Sequence, residues 1–400
     1  MSRPTSRNVP DPAFEAAHSK LAPAHLRSVD RVPLPTLLAP FTKQRPERAR
    51  LKGLSDNPAY QWWRDPNIIQ PHSWWGRAQD ATSLEAEAAT MRELGVEIFR
   101  FEVPWRELAP LRPGRDRYDG RAASDPNWPG YRWARLELIL DVLEVESIAP
   151  LPVITHTPAW AMDPLHSSPA SPPYDSKLFG DLMTALALRF RSRVLHWELW
   201  NEPDHPHSWS GSMRDYVRLV LEPGSAAIRA AAPEATILVG GLADYRNLRL
   251  LHASGGSGLY DVASIHAYPG RPSSWPVALA VHRTRAFCKQ VWLTECGIAS
   301  RAPSLPSSFG GVTSEEGQAR FVRSLFESVD ADAVFIYQLH DTAILDGSGR
   351  RLKEVFWGLV DESGQRRKPA FDAYRQAPVR RRSRALGSDS RRRNALPTVR

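Results

Sequence analysis

The stretch V-L-H-W-E-L-W-N-E-P, residues 194–203, decides how this chain is read. Apolar and aromatic residues open it as a short strand, and a proline that cannot continue a ladder closes it. Counted by twos, His196, Glu198 and Trp200 share one face, and Glu202 continues that face at the C-terminal end. Carboxylates on a buried strand are costly without partners. The stretch therefore signals a structural ion pair or catalysis, and Glu202, set between Asn201 and Pro203, has the better claim to chemistry.

A second such strand, K-Q-V-W-L-T-E-C-G at 289–297, ends in Glu295, and 295 − 202 = 93 residues separate the two glutamates. Candidate strands at 235–241 and 261–268 lie between them, each preceded by helix-like sequence. That makes three strand-to-strand steps, and 93/3 = 31 residues each. A (β/α)8 barrel of about 250 residues averages about 31 per unit. The spacing thus predicts one α/β chain folded as a single TIM barrel, with Glu202 and Glu295 at the C-terminal ends of the fourth and seventh strands. Opposing strand ends can hold the two carboxyls facing each other across the barrel mouth.

The rest of the barrel follows from the same rhythm. A helix is expected from Ser83, as N-cap, to Leu94, with Gly95 ending it. The next strand, 96–103, places Arg100 and Glu102 inside, where a buried guanidinium needs carboxylates such as Glu102, Glu198 or Glu295. The third strand, 149–156, delivers His156 and the following Trp160 to the catalytic face. The sixth puts Ser264, His266 and Tyr268 on one face, and the eighth, 333–340, does so for Gln338 and His340. The first strand falls at 51–54 or 73–76, and Trp62, Trp63, Trp74 and Trp75 line a cleft wall or cap the barrel bottom.

Composition narrows the class. The net charge of +8 is a property of the C-terminus: residues 379–400 hold eight Arg and one Asp, a net +7, which leaves about +1 for everything else. This tail should be disordered, and a polyanion-binding role would rest on it alone, so the barrel is not expected to bind nucleic acid. Cys288 and Cys296 flank one strand, about 26 Å apart if extended, and should be free thiols. No apolar run approaches a membrane span and no leader pattern opens the chain, so a cytoplasmic location without membrane contact is expected. His205 and His207 lack the Cys or carboxylate company of a metal set, and no nucleotide loop or G-x-S-x-G occurs, so neither metal nor cofactor is expected. The expected organisation is an N-terminal extension over 1–45, the barrel over 46–377 and the Arg-rich tail over 378–400; the oligomeric state is open.

Two carboxyls facing each other across a barrel mouth suit glycosidic cleavage, in which one protonates the leaving oxygen and the other attacks or activates water. Arg100 and Tyr268 are donors suited to keeping Glu295 ionised, which leaves Glu202 as the acid/base. The motifs W-E-L-W-N-E-P at 197–203 and W-L-T-E at 292–295 resemble the acid/base and nucleophile strands of clan A retaining glycoside hydrolases, most nearly those of family 39 and its β-xylosidase-like members. F-R-F-E-V-P-W at 99–105, T-P-A-W-A at 157–161 and H-A-Y-P at 266–269 add to the resemblance, which covers about residues 80–377. It implies Glu202 as acid/base, Glu295 as nucleophile, Asn201 on the substrate 2-hydroxyl, and Tyr268 and Arg100 holding the nucleophile. The sequence departs from the clan at the eighth strand, where Y-Q-L-H-D offers no Trp platform. A carbohydrate substrate follows from this reading. A non-catalytic polysaccharide-binding barrel is the alternative, since it would keep the aromatic residues without needing both glutamates.

Overall fold

A computed structural model describes residues 51–56, 74–77, 80–112, 122–165, 168, 170–301, 310–345 and 351–378. The N-terminal extension, Trp62, Trp63 and the Arg-rich tail lie outside the described residues. Eight parallel strands close into a barrel in chain order: β1 (Leu51–Asp56), β2 (Ile98–Pro104), β3 (Ala149–Thr155), β4 (His196–Asn201), β5 (Thr236–Gly241), β6 (Val262–Ala267), β7 (Gln290–Cys296) and β8 (Ala333–Ile336). Leu51–Leu54 of β1 pair with Ala333–Ile336 of β8 and close the ring. The expected (β/α)8 barrel is borne out.

The first strand is the earlier of the two candidates. Residues 74–76 of the later one belong to a short helix, Trp74–Arg77. Trp74 and Trp75 are buried in the core. The Trp74 ring packs 4.7 Å from Phe99, on the outward face of β2, and its indole N–H donates to Glu87. Trp75 donates to Glu107. The first long helix runs Ala81–Leu94, and its cap is Asp80 rather than Ser83, whose N–H the Asp80 side chain accepts. Gly95 ends it at φ 72°, as a left-handed C-cap requires. The helix expected after β4 is interrupted: Met213–Tyr216 and Glu222–Ala231 flank a π-helical turn at Val217–Leu221. β8 is four residues rather than eight, and an unanticipated hairpin, β9 (Thr342–Leu345) and β10 (Arg351–Val355), follows it. Among the described residues no helix is long and apolar enough to cross a membrane.

Inside the barrel, Ile98, Leu151, Leu238, Val262, Trp292, Ala333 and Phe335 form an apolar layer toward the N-terminal ends of the strands. Gly53 makes room for it: a Cβ there would lie 2.4 Å from the Phe335 ring. Below, the buried Lys52 ammonium donates to the carbonyls of Leu94 (3.0 Å) and Tyr374 (2.9 Å) and ties the ends of two helices to β1. Above the apolar layer the inward positions turn polar, and there the site begins.

Candidate active site

Ser55, Arg100, Glu198, Ser264 and Thr294, from β1, β2, β4, β6 and β7, form one buried hydrogen-bonded layer. Arg100 organises it. Nε and Nη2 donate to the two oxygens of Glu198 at 2.7 and 3.1 Å. Nη2 also donates to Asn201 Oδ1 at 2.7 Å, and Nη1 donates to Ser55 Oγ at 3.1 Å and to Glu295 Oε1 at 2.6 Å. Glu198 further accepts the Gly241 N–H (2.8 Å) and the Ser264 hydroxyl (3.0 Å). Such compensation is what a buried ion pair needs. Arg100 thus serves both Glu198 and Glu295, two of the carboxylates the sequence offered. Glu102 is not among its hydrogen-bond partners.

Both strands that carry the key glutamates break their period of two just before them. On β4, Trp200 takes φ 78° and Glu202 φ 43°. Trp200 therefore leaves the face of Glu198: its ring packs 5.1 Å from Trp209 and its N–H donates to the Ser208 carbonyl. Asn201 instead turns in toward Arg100. On β7, Leu293 pairs with Ile265 but Glu295, not Thr294, pairs with His266. Non-glycine residues at positive φ cost about 1–3 kcal/mol and collect at functional sites.

Glu295 and Glu202 sit in contrasting surroundings. Glu295 accepts Arg100 on one oxygen and the Tyr268 hydroxyl, at 2.5 Å, on the other. Burial, and then the Glu295 charge, push the Tyr268 phenol well above its ordinary pKa, so it remains a donor. Among the described residues no lysine or arginine pairs with Glu202. Its Oε1 lies 2.7 Å from His266 Nδ1, and its Oε2 is buried with no hydrogen-bond partner. Burial, followed by the charges of Glu295 and Asp204, raises its pKa well above the ordinary carboxyl value. His266 is held neutral, its pKa lowered by burial and then by Arg100. Its Nδ1 also stands 3.6 Å from Glu295 Oε2, so it lies between the two glutamates and is not displayed to the cleft as a ligand.

The remaining predicted residues scatter around this centre. His156, at φ 60°, is buried beside Thr155 and 3.8 Å from Glu102 Oε1, and burial lowers its pKa to about 3. Burial raises the Glu102 carboxyl to about 8. Gln338 spends its amide on the Thr342 hydroxyl at 2.8 Å. Trp160 stands further out, on the rim. Sequence reasoning missed an aromatic wall beside Glu295: Trp357 stacks on Tyr268 (5.0 Å, 25°) and meets Tyr337 edge-on at 5.2 Å. Its only signal was the F-W-G that follows the unforeseen hairpin.

Glu202, His266 and Glu295 each bring one ligand atom within 4.8 Å of the others, a donor set that could hold a divalent ion. It fits poorly, because both Glu295 oxygens already accept hydrogen bonds and one donor is a guanidinium.

Comparison with known proteins gives the family and the fold. The family model of cellulase (glycosyl hydrolase family 5) matches residues 57–295. No curated protein matches. Among solved structures, similar folds include a family 39 glycoside hydrolase from the gut symbiont Bacteroides cellulosilyticus WH2, with a TM-score of 0.55 and 18% identity over 82% of this chain and 63% of that one. The exo-β-1,4-mannosidase Op5Man5 from Opitutaceae bacterium strain TAV5 gives 0.56 and 19% over 84% of this chain and 61% of that one. A family 39 β-xylosidase from Caulobacter crescentus gives 0.56 and 19% over 84% and 72%. This chain spans less than two thirds of the first two. At these identities the likeness is one of fold. The sequence resemblance to clan A is borne out, with family 39 enzymes as fold neighbours and family 5 as the matching model. That model covers more than half of the 400 residues, and the chain belongs to the cellulase family, glycosyl hydrolase family 5.

Proposed function

We propose that the protein is a retaining glycoside hydrolase that cleaves an oligo- or polysaccharide by double displacement. The observation that carries this reading is the asymmetry of two close glutamates. An oxygen of each lies within 4.8 Å of one on the other, near the retaining arrangement and short of the separation of about 6.5–9.5 Å that leaves room for an inverting water.

In the first step the ionised Glu295, oriented by Arg100 and Tyr268, attacks the anomeric carbon. The C–O bond to the leaving sugar breaks, and protonated Glu202 gives its proton to the departing oxygen. In the second step Glu202, now a carboxylate, takes a proton from water, which attacks the glycosyl ester and frees Glu295 with net retention. The His266 ring hydrogen-bonds Glu202 in either state. Asn201, fixed by Arg100, is suited to the substrate 2-hydroxyl, and the Trp357–Tyr268 stack supplies the aromatic floor that β8 lacks. His156 and Gln338 contribute as buried neighbours of the mouth rather than as direct ligands. The two carboxyls need no metal or cofactor for this chemistry.

Activated aryl glycosides test the roles. Glu202→Ala should keep glycosylation and recover turnover with azide as a product of retained configuration. Glu295→Ala should lose turnover, with azide giving the inverted product. The opposite pattern would exchange the assignments. Wild-type protein that binds polysaccharide but turns over no glycoside would support the non-catalytic binding barrel instead.

A further inference from the structure

A buried ion pair holds the chain on either side of Trp357. The Lys368 ammonium, 1% exposed, donates to Asp341 Oδ1 at 2.9 Å and approaches the Phe356 carbonyl at 3.4 Å. The same Asp341 oxygen accepts the Gly358 N–H at 2.8 Å. One charged pair thus grips the residue before Trp357 and the residue after it. Lys368 is itself anchored. Its N–H donates to the Leu359 carbonyl at 3.0 Å, and it opens the helix Pro369–Arg375, whose Phe371 and Tyr374 are buried.

Trp357 needs such an anchor, because the barrel ladder does not reach it: β8 stops at Ile336. A buried ion pair is also a poor source of stability. Desolvation of two charges offsets their attraction, and apolar side chains of similar volume often serve as well. What the pair supplies is direction, since charge-assisted hydrogen bonds are short and geometrically demanding. From Trp357 the contacts continue to the site. Its ring stacks on Tyr268, whose hydroxyl donates to Glu295 Oε2.

Resting on the glycosidase reading for its kinetic consequence, we propose that Asp341 and Lys368 are positioning residues: their ion pair sets the place of Trp357 and, through the stacked Tyr268, the hold on Glu295.

Full-length protein labelled with 5-fluorotryptophan reads the ring directly by fluorine NMR, and Trp357→Phe identifies its signal. Lys368→Met should shift that signal while the dispersed signals of the other tryptophans mark a folded barrel. The double variant Asp341→Asn/Lys368→Met buries no lone charge and keeps the test open if Lys368→Met does not fold. A Trp357 signal that stays in place in the folded variant overturns the proposal. On an aryl glycoside, Lys368→Met and Trp357→Phe should each lower kcat/KM about tenfold, and their combination should lower it no further, because both act through one ring. Losses that multiply would place the action of the pair elsewhere and overturn the proposal as well. If the wild type turns over no glycoside, the catalytic reading fails, and the fluorine signal still decides whether the pair holds Trp357.

Discussion

Arg100 Nη1 meets Glu295 Oε1 at 2.6 Å, and both side chains are shut off from solvent. The same guanidinium grips Glu198 from its other edge, so one cation fixes the proposed nucleophile to the wall of the barrel. Arg100→Met would leave two buried carboxylates without their cation. A loss of about 3–5 kcal/mol of stability is expected, together with loss of aryl glycoside turnover. Arg100→Lys should recover part of the stability but little activity, because an ammonium cannot serve both carboxylates in the fork geometry. Chemical denaturation beside steady-state kinetics checks both.

The alkaline side of the pH profile should report Glu202. In the proposed mechanism its raised pKa keeps it protonated as the acid, so kcat/KM should fall as pH rises through that pKa. His266 and Tyr268 face it from β6 and beyond, Tyr337 from beyond β8, Glu295 from β7, and Asp204 from its own loop. Asp204 is anchored by the N–H groups of Ala243 and Asp244 and by the Asn247 amide. Asp204→Asn removes a negative charge, lowers the Glu202 pKa and should move the alkaline limb to lower pH. An unmoved limb would show that burial and Glu295 alone set this pKa. For stability the sign is the same: ionising Glu202 costs the folded state, so its contribution is lost as pH rises through the folded pKa.

Gly241 is expected to be intolerant of any side chain. A Cβ there would fall 2.1 Å from His266 Nε2, and the imidazole would be driven off Glu202. Gly241→Ala should therefore reduce kcat by about 100-fold, the scale of a misplacement of about 1 Å, with little change in secondary structure by circular dichroism. Near-normal kcat would show that the imidazole position does not matter.

At the opposite end of the barrel, burial depresses the Lys52 ammonium to about 8. Its pKa is lower folded than unfolded, so its charge works against folding below about pH 8, and that penalty fades between about 8 and 10.5. Relative to Lys52→Met, the wild type should gain at most about 3 kcal/mol across that window. Paired melting curves at several pH values measure it, and a constant difference would mean that Lys52 titrates normally.

The fold was legible because a barrel repeats, and the spacing between Glu202 and Glu295 carried that repeat without any knowledge of loops. Arg100 and Tyr268 were legible because a buried carboxylate needs donors and the strand period pointed both inward. Trp200 was not. Counting by twos assumes extended backbone, and φ 78° turned its ring outward and Asn201 inward. The first strand was ambiguous because L-K-G-L-S-D carries a lysine, a glycine and a serine in six residues. Their reasons, a carbonyl cage for Lys52, clearance for Phe335 and a partner for Arg100, exist only once distant segments meet. Trp357 was hidden for the same reason, since no local pattern shows that it returns to Tyr268.

The placement of Trp357 has a consequence for how this scaffold can diversify. The ring beside Tyr268 and Glu295 is delivered by the segment after the β9–β10 hairpin, outside the ladder that closes the barrel. Exchanging that hairpin together with its Asp341–Lys368 anchor would slide the indole while every strand pairing, and the Arg100 network beneath it, stayed in register. In the proposed glycosidase, the aromatic floor and the two glutamates would thereby be carried by separately editable parts of one chain.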